Sequence, residues 1–434
     1  MNLIKNIFKH ELISGVFYIF LGSMVANVLA FLLNLFLARN LSYANYGIFA
    51  SLLSIITLAA IPASSINTIV VRFATEYFTK NELDKLKGFY KKIIRFILLF
   101  SFSIFLGFVV LSLTIMNFLH LDNIWYVILV GACVSTMYLQ TLNNAFLQGL
   151  MKFKFISALS SISGVIKLIV GIVLVFAGFQ AFSGLWSIFF MTSGAFLIGI
   201  IPLRFLLTRG EVKEIKLPTR EILQFALPTF VTVFFLTSFT STDVILVKHF
   251  FNPHLAGFYA GLSLIGKVIF YFTAPIPIVM FPLLIKRHHK GEKFHNLFYL
   301  ALLLVLMPCG AITGFYFLFP KFVVNLFLGG RDYLSITSYL GFFGIYISVF
   351  SLVNVCVSFF LSLNKMKISF LVVTAAISQI VLIYMFHSSF YQVIGISLLI
   401  SSILFVSLLL YYLKLFVNLK NIKNSMAFFN TQSI

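Results

Sequence analysis

Three ionisable side chains, Lys167, Asp243 and Lys267, fall inside long apolar runs of this 434-residue chain. An ionised group in hydrocarbon costs several kcal/mol, so each is expected to face a partner or a wet cavity. Asp243 lies in the run 222–247, about one helical turn before Lys248. Lys267 lies in the next run, 256–284. At 1.5 Å per residue, Asp243 is roughly 7 Å and Lys267 roughly 15 Å from their shared end. A lysine stem can cover much of that difference. The two read either as a structural ion pair or as a gating or coupling pair that rearranges between states. Lys167 has no acid in its own run. It is expected to face another helix or a cavity, and an anionic substrate would suit it. With Arg39, Lys248 and Lys267 it would create a positive potential fit for a phosphate or pyrophosphate.

Uncharged polar residues mark further candidates. Gln140, Asn144 and Gln148 recur at i, i+4 and i+8 beside Asn143. Ser64, Ser65, Asn67 and Thr68 cluster in the second run, and Asn27 and Asn34 lie in the first. Such groups serve carbohydrate hydroxyls or bond helix to helix; the pattern alone leaves both open.

Other chemistry is missing. There is no G-x-x-x-x-G-K-[ST], so an ATPase of its own is not expected, and no H-E-x-x-H. His288, His289 and His295 read as a solvated basic loop rather than a metal site. Cys133, Cys309 and Cys356 read as small buried residues. The segments Asn40–Asn45 and Phe319–Tyr333 are too short and too poor in acids to host an external active site. The expectation is a protein that is not an enzyme, with no catalytic residue, cofactor or metal.

The elements that position these residues follow from composition. Apolar residues make up 61% and charged residues 10%, with mean hydropathy +1.07; a soluble domain carries about 25% charge. Twelve apolar runs stand out, near 14–38, 46–71, 93–116, 124–147, 157–178, 183–206, 222–247, 256–284, 296–318, 334–361, 367–387 and 391–414. Each is long enough to cross a bilayer as a helix, and hydrocarbon demands internally paired backbone. The predicted fold class is therefore an all-α integral membrane protein of about twelve transmembrane helices. The first run is too long for a signal-peptide core and reads as a span. With both termini placed inside, 25 Lys and Arg fall on inside segments against four outside (Arg39, Lys248, Lys321, Arg331). That asymmetry predicts cytoplasmic termini in a cell inner membrane. It also explains the net charge of +20 without nucleic acid, through anionic membrane lipids.

Two halves repeat. "LFLARNLSYANYGIFASL" (35–52) matches "VILVKHFFNPHLAGFYAGL" (244–262), pairing Gly47 with Gly257 and Asn34 with Asp243. "FLQGLMKFKFIS" (146–157) matches "FLSLNKMKIS" (360–369), and Lys167 falls opposite Gln379. The expected organisation is a lobe at 1–206, a cytoplasmic linker at 207–220 and a second lobe at 221–434. Six spans per half put the pseudo-two-fold axis along the membrane normal, with a substrate site between lobes. Pro62 in span two and Pro275, Pro277 and Pro282 in span eight predict kinks.

Three stretches carry a resemblance: "ARNLSYANYGIFASLLSIITL…VVRFATEY" (38–77), "LQGLMKFKFISALSSISGVIKLIVG" (147–171) and "TDVILVKHFFNPHLAGFYAGLSLIGK" (242–267). Together they resemble polysaccharide-export and O-antigen (Wzx-type) flippases of the multidrug/oligosaccharidyl-lipid/polysaccharide (MOP) superfamily. The resemblance implies two pseudo-symmetric six-helix bundles in a V. It implies alternating access that carries a polyprenyl-pyrophosphate-linked oligosaccharide across the membrane. A polysaccharide polymerase or glycosyltransferase is a candidate partner. Multidrug antiporters of the superfamily often use a first-span carboxylate, and 14–38 has none. Lipid II flippases of the superfamily usually carry fourteen spans. These two remain the alternatives.

Overall fold

The computed structural model describes residues 11–207, 219–289 and 294–430. Eleven helices are long and apolar enough to cross a membrane, and a bent pair makes a twelfth span. In order, the spans are built on Glu11–Asn40, Tyr43–Thr79, Leu83–Val110, Trp125–Gly149, Phe153–Phe176, Ala181–Ile200, Thr219–Ser238 with Thr242–Phe250, Pro253–Gly266 with Val268–Thr273 and Pro275–His289, His295–Leu318, Thr337–Ser362, Ile368–Met385, and Phe390–Asn430. The expected linker 207–220 lies almost wholly outside the described residues, as do Lys290 and Lys293.

Several helices outrun their apolar windows. Span two runs 37 residues, about 55 Å at 1.5 Å each, although its apolar window ends at Ala63. It passes Pro62 without a break. Span three begins at Leu83, ten residues before its apolar run, because the basic turns Lys85–Arg95 stay helical outside the hydrocarbon. The segment expected to be an open loop at Phe319–Tyr333 is mostly helix, Pro320–Leu328. Pro320 occupies its first turn, and Gly329 ends it in the left-handed region at φ 77°.

Contacts divide the chain into two units. The first holds residues up to Phe230 plus Val247–Ala260, and the second holds Val231–Leu246 plus Gly261 onward. In the first, span four is the hub, packed on spans two, three and six, while span five pairs with spans one and six. Val127, Val130, Val134 and Leu142 bury its inner faces completely. In the second, span ten takes the equivalent place against eight, nine and twelve. Spans four and ten are repeat counterparts, and their following turns match. Met151 and Asn364 both adopt φ +55°. Both turns also close with the same backbone bond, Lys152 N to Leu147 O at 2.9 Å and Lys365 N to Phe360 O at 3.0 Å.

Span seven bends by 43° between Ser238 and Thr242. No Pro or Gly lies there; the run Ser238, Thr240, Ser241, Thr242 supplies hydroxyls that compete for backbone bonds. A carbonyl loosened in hydrocarbon must be caught. Phe239 O accepts from Tyr346 Oη at 2.6 Å and from Gln379 Nε2 at 3.2 Å. Span eight breaks at Lys267 and again before Pro275. Tyr316 Oη donates to Ile265 O beside the first break, at 2.8 Å.

Within the first unit, the two repeat-related turns touch. A Cβ on Gly47 would lie 2.9 Å from Gly257 N, and one on Gly257 would overlap the Tyr43 carbonyl. Neither neighbour is a flexible side-chain tip. Gly257→Ala is therefore expected to cost about 1–3 kcal/mol by overpacking, read as a lowered thermal midpoint of the detergent-purified protein. Gly395→Ala, with nothing within 4 Å, is the neutral control. Equal midpoints for the two would show that the close approach does not constrain the fold.

Candidate functional site

In the first unit, spans two, four and five line an open cavity of about 420 Å³. Span two lines it with Ala60, Ala63 and Asn67, span four with Met137, Thr141, Asn144 and Gln148, and span five with Ile156. The span-four positions follow steps of four, three and four, which keeps them on one stripe of a 3.6-residue helix. No described lining side chain carries a charge.

The amides of this lobe divide into two kinds. Asn143, fully buried, donates to Phe196 O of span six at 2.9 Å, and Asn34 donates to Ala30 O at 2.8 Å. These are committed to helices. The side chains of Asn67, Asn144 and Gln148 make no hydrogen bond among the described residues. Gln140 is likewise uncommitted but lies off the cavity wall, partly buried. Thr141 Oγ1 donates to Met137 O at 2.8 Å, leaving its lone pairs for an incoming donor.

The cations lie elsewhere. Lys167 is 8% exposed, with the Cys133 thiol of span four as its titratable neighbour. Cys133 Sγ donates to Leu185 O of span six at 3.4 Å. Among the described residues Lys167 has no hydrogen bond or ion pair. Arg39 is exposed at the end of span one. Lys248 is buried, with Asp122 of the turn before span four in electrostatic reach. Asp122 was not among the candidates, and its position just before Trp125, outside the apolar run, was the signal for it.

In the second unit, Asp243 opens the latter half of span seven and is completely buried. A helix N-terminus favours a carboxylate. Lys267, partly buried at the first break of span eight, lies within electrostatic reach of Asp243, as does Tyr346. Gln379, opposite Lys167 in the repeat, is 1% exposed and donates to Ser397 Oγ at 2.9 Å as well as to Phe239 O. The structure thus brings Asn144 to Gln148, and Asp243 to Lys267. It places Lys167, Arg39, Lys248, Asn34 and Gln140 apart from the cavity lining. No three His, Cys, Asp or Glu side chains gather as a metal site among the described residues. The His295 ring bonds to Tyr412 Oη at 2.6 Å; the side chains of His288 and His289 lie outside the described set.

A family model described as "Polysaccharide biosynthesis protein" matches residues 12–288. No curated protein matches the chain. Solved structures share the fold. A multidrug resistance MATE family transporter of the MOP superfamily, inward-facing, aligns with TM-score 0.65 at 14% identity, over 90% of this chain and 94% of that one. The lipid II flippase MurJ, inward closed, aligns with TM-score 0.65 at 16% identity, over 90% and 86%. A MOP superfamily transporter from Pyrococcus furiosus aligns with TM-score 0.53 at 14% identity, over 91% and 94%.

Proposed function

Because the chain belongs to the polysaccharide biosynthesis protein family, a family with transporter folds as its structural neighbours, we propose that this multi-pass membrane protein is a lipid-linked oligosaccharide flippase. Its substrate is a glycan on a polyprenyl-pyrophosphate carrier, moved across the cytoplasmic membrane by alternating access. The observation that carries the reading is the set of uncommitted amides, Asn67, Asn144 and Gln148, around one cavity. All three are half-buried, and with their side chains uncommitted they offer donors and acceptors to a polar guest or to water. The basic-residue asymmetry supports cytoplasmic termini. Lys167, Lys267, Asp243, Arg39 and Lys248 supply the charges that the pyrophosphate or a coupling step would use. A polymerase or glycosyltransferase would act on either side of this step.

The test is a deletion strain scored for surface glycan and drug sensitivity. Loss of glycan with unchanged drug tolerance, restored by the intact gene, is expected. Normal glycan with raised drug sensitivity would replace this reading with efflux, which the MATE fold neighbours also accommodate.

A further inference from the structure

We propose that the cavity between spans two, four and five is a subsite for one uncharged sugar unit of the glycan and excludes both the pyrophosphate and acidic sugars. This rests on the flippase reading and says which part of the substrate the cavity takes.

The wall has two characters. Asn67, Asn144 and Gln148 each offer two N–H donors and a carbonyl acceptor, and the Thr141 hydroxyl adds an acceptor. Ala60, Ala63, Met137 and Ile156 supply the rest. A pyranose has the same duality, with hydroxyls round its edge and C–H groups on its faces. The two alanines leave a low wall for a ring face, and the unbranched Met137 can adapt to an acetamido methyl. A ligand hydroxyl can both give and accept here, which an oxyanion cannot.

Charge decides the exclusion. A phosphate or carboxylate brought out of water needs a counter-charge or several charge-assisted bonds. The described lining has no Lys, Arg or His. Among the described residues, the buried cations of this unit, Lys167 beside Cys133 and Lys248 near Asp122, do not line the cavity. A neutral sugar loses nothing on entering, because amide bonds replace its water bonds.

Size and depth agree. A volume of 420 Å³ equals about fourteen waters at ~30 Å³ each, ample for an N-acetylhexosamine of about fifteen bonded heavy atoms. Gln148 sits in the last turn of span four and Ile156 in the first turn of span five. The cavity therefore reaches the end of the lobe whose turn carries Lys152 and Lys154, the end at which a cytoplasmic glycan would load.

The experiment uses the full-length protein in lipid nanodiscs and three probes. These are a polyprenyl pyrophosphate, the same carrier bearing one N-acetylhexosamine, and the same carrier bearing one hexuronic acid. The N-acetylhexosamine is expected to tighten Kd at least tenfold over the bare carrier, and the hexuronic acid not at all. Asn144→Ala and Gln148→Ala should each erase most of that gain. Gln148→Lys should shift the preference toward the hexuronic acid, which guards against a variant that merely folds poorly. If the acid-bearing carrier binds as tightly as the neutral one to the wild type, or the alanine variants keep the full gain, the subsite is wrong and the flippase reading stands. If none of the three probes binds, both fall.

Discussion

Lys167→Met is expected to cut glycan export at least tenfold while leaving the protein at or above its normal level in the membrane. Lys167 is 8% exposed and has no bonded partner among the described residues. Holding an ammonium there costs several kcal/mol by insertion scales. Methionine is unbranched, of similar length and apolar, so it fills the space without that penalty. The lobe should therefore gain stability as it loses function, a split that a packing role would not produce. A thermal midpoint on purified protein, an immunoblot of membranes and surface-glycan staining measure the three quantities. Normal export by Lys167→Met would remove this residue from the mechanism.

Asp243→Asn and Lys267→Met should each lower the thermal midpoint sharply, and the double variant should recover most of the loss. Asp243 is completely buried and its charge acts on Lys267. Removing either charge takes away the opposite charge that the other faces, which is destabilising where one of the two, Asp243, is completely buried. Removing both leaves neutral groups of similar shape and no stranded charge. Export by the double variant separates the two readings of the pair. A structural pair predicts export restored along with stability; a gating or coupling pair predicts a stable protein that does not transport. If the double variant melts no higher than the singles, the two charges are not coupled.

The number and order of spans were legible because hydrocarbon forces every crossing segment to be long, apolar and helical. The prolines announced the break before Pro275 but not the one at Lys267, and the kink expected at Pro62 is absent. The bend in span seven was not anticipated, since its hydroxyl run is a weaker signal than proline and its cause lies in distant partners, Tyr346 and Gln379. The cavity face was read in part. Asn144 and Gln148 line it, but Gln140 does not. Each step of four residues advances 40° beyond a full turn on a 3.6-residue helix, so Gln140 stands about 80° from Gln148. Met137 and Thr141 hold the stripe instead. The positive potential expected around the polar face depended on where lysine heads end up, and side-chain reach is not written in span position. Lys248 illustrates this, with its charge near Asp122 of the preceding turn.

Lys167 and Gln379 occupy the same place in the two repeats, yet one is a cation with no bonded partner among the described residues and the other an amide tied to Ser397 and the span-seven bend. A chimera assembled from two copies of the first half would hold a second Lys167 and would lack both the elbow of span seven and its brace. The halves thus match in sequence over short stretches but are not interchangeable.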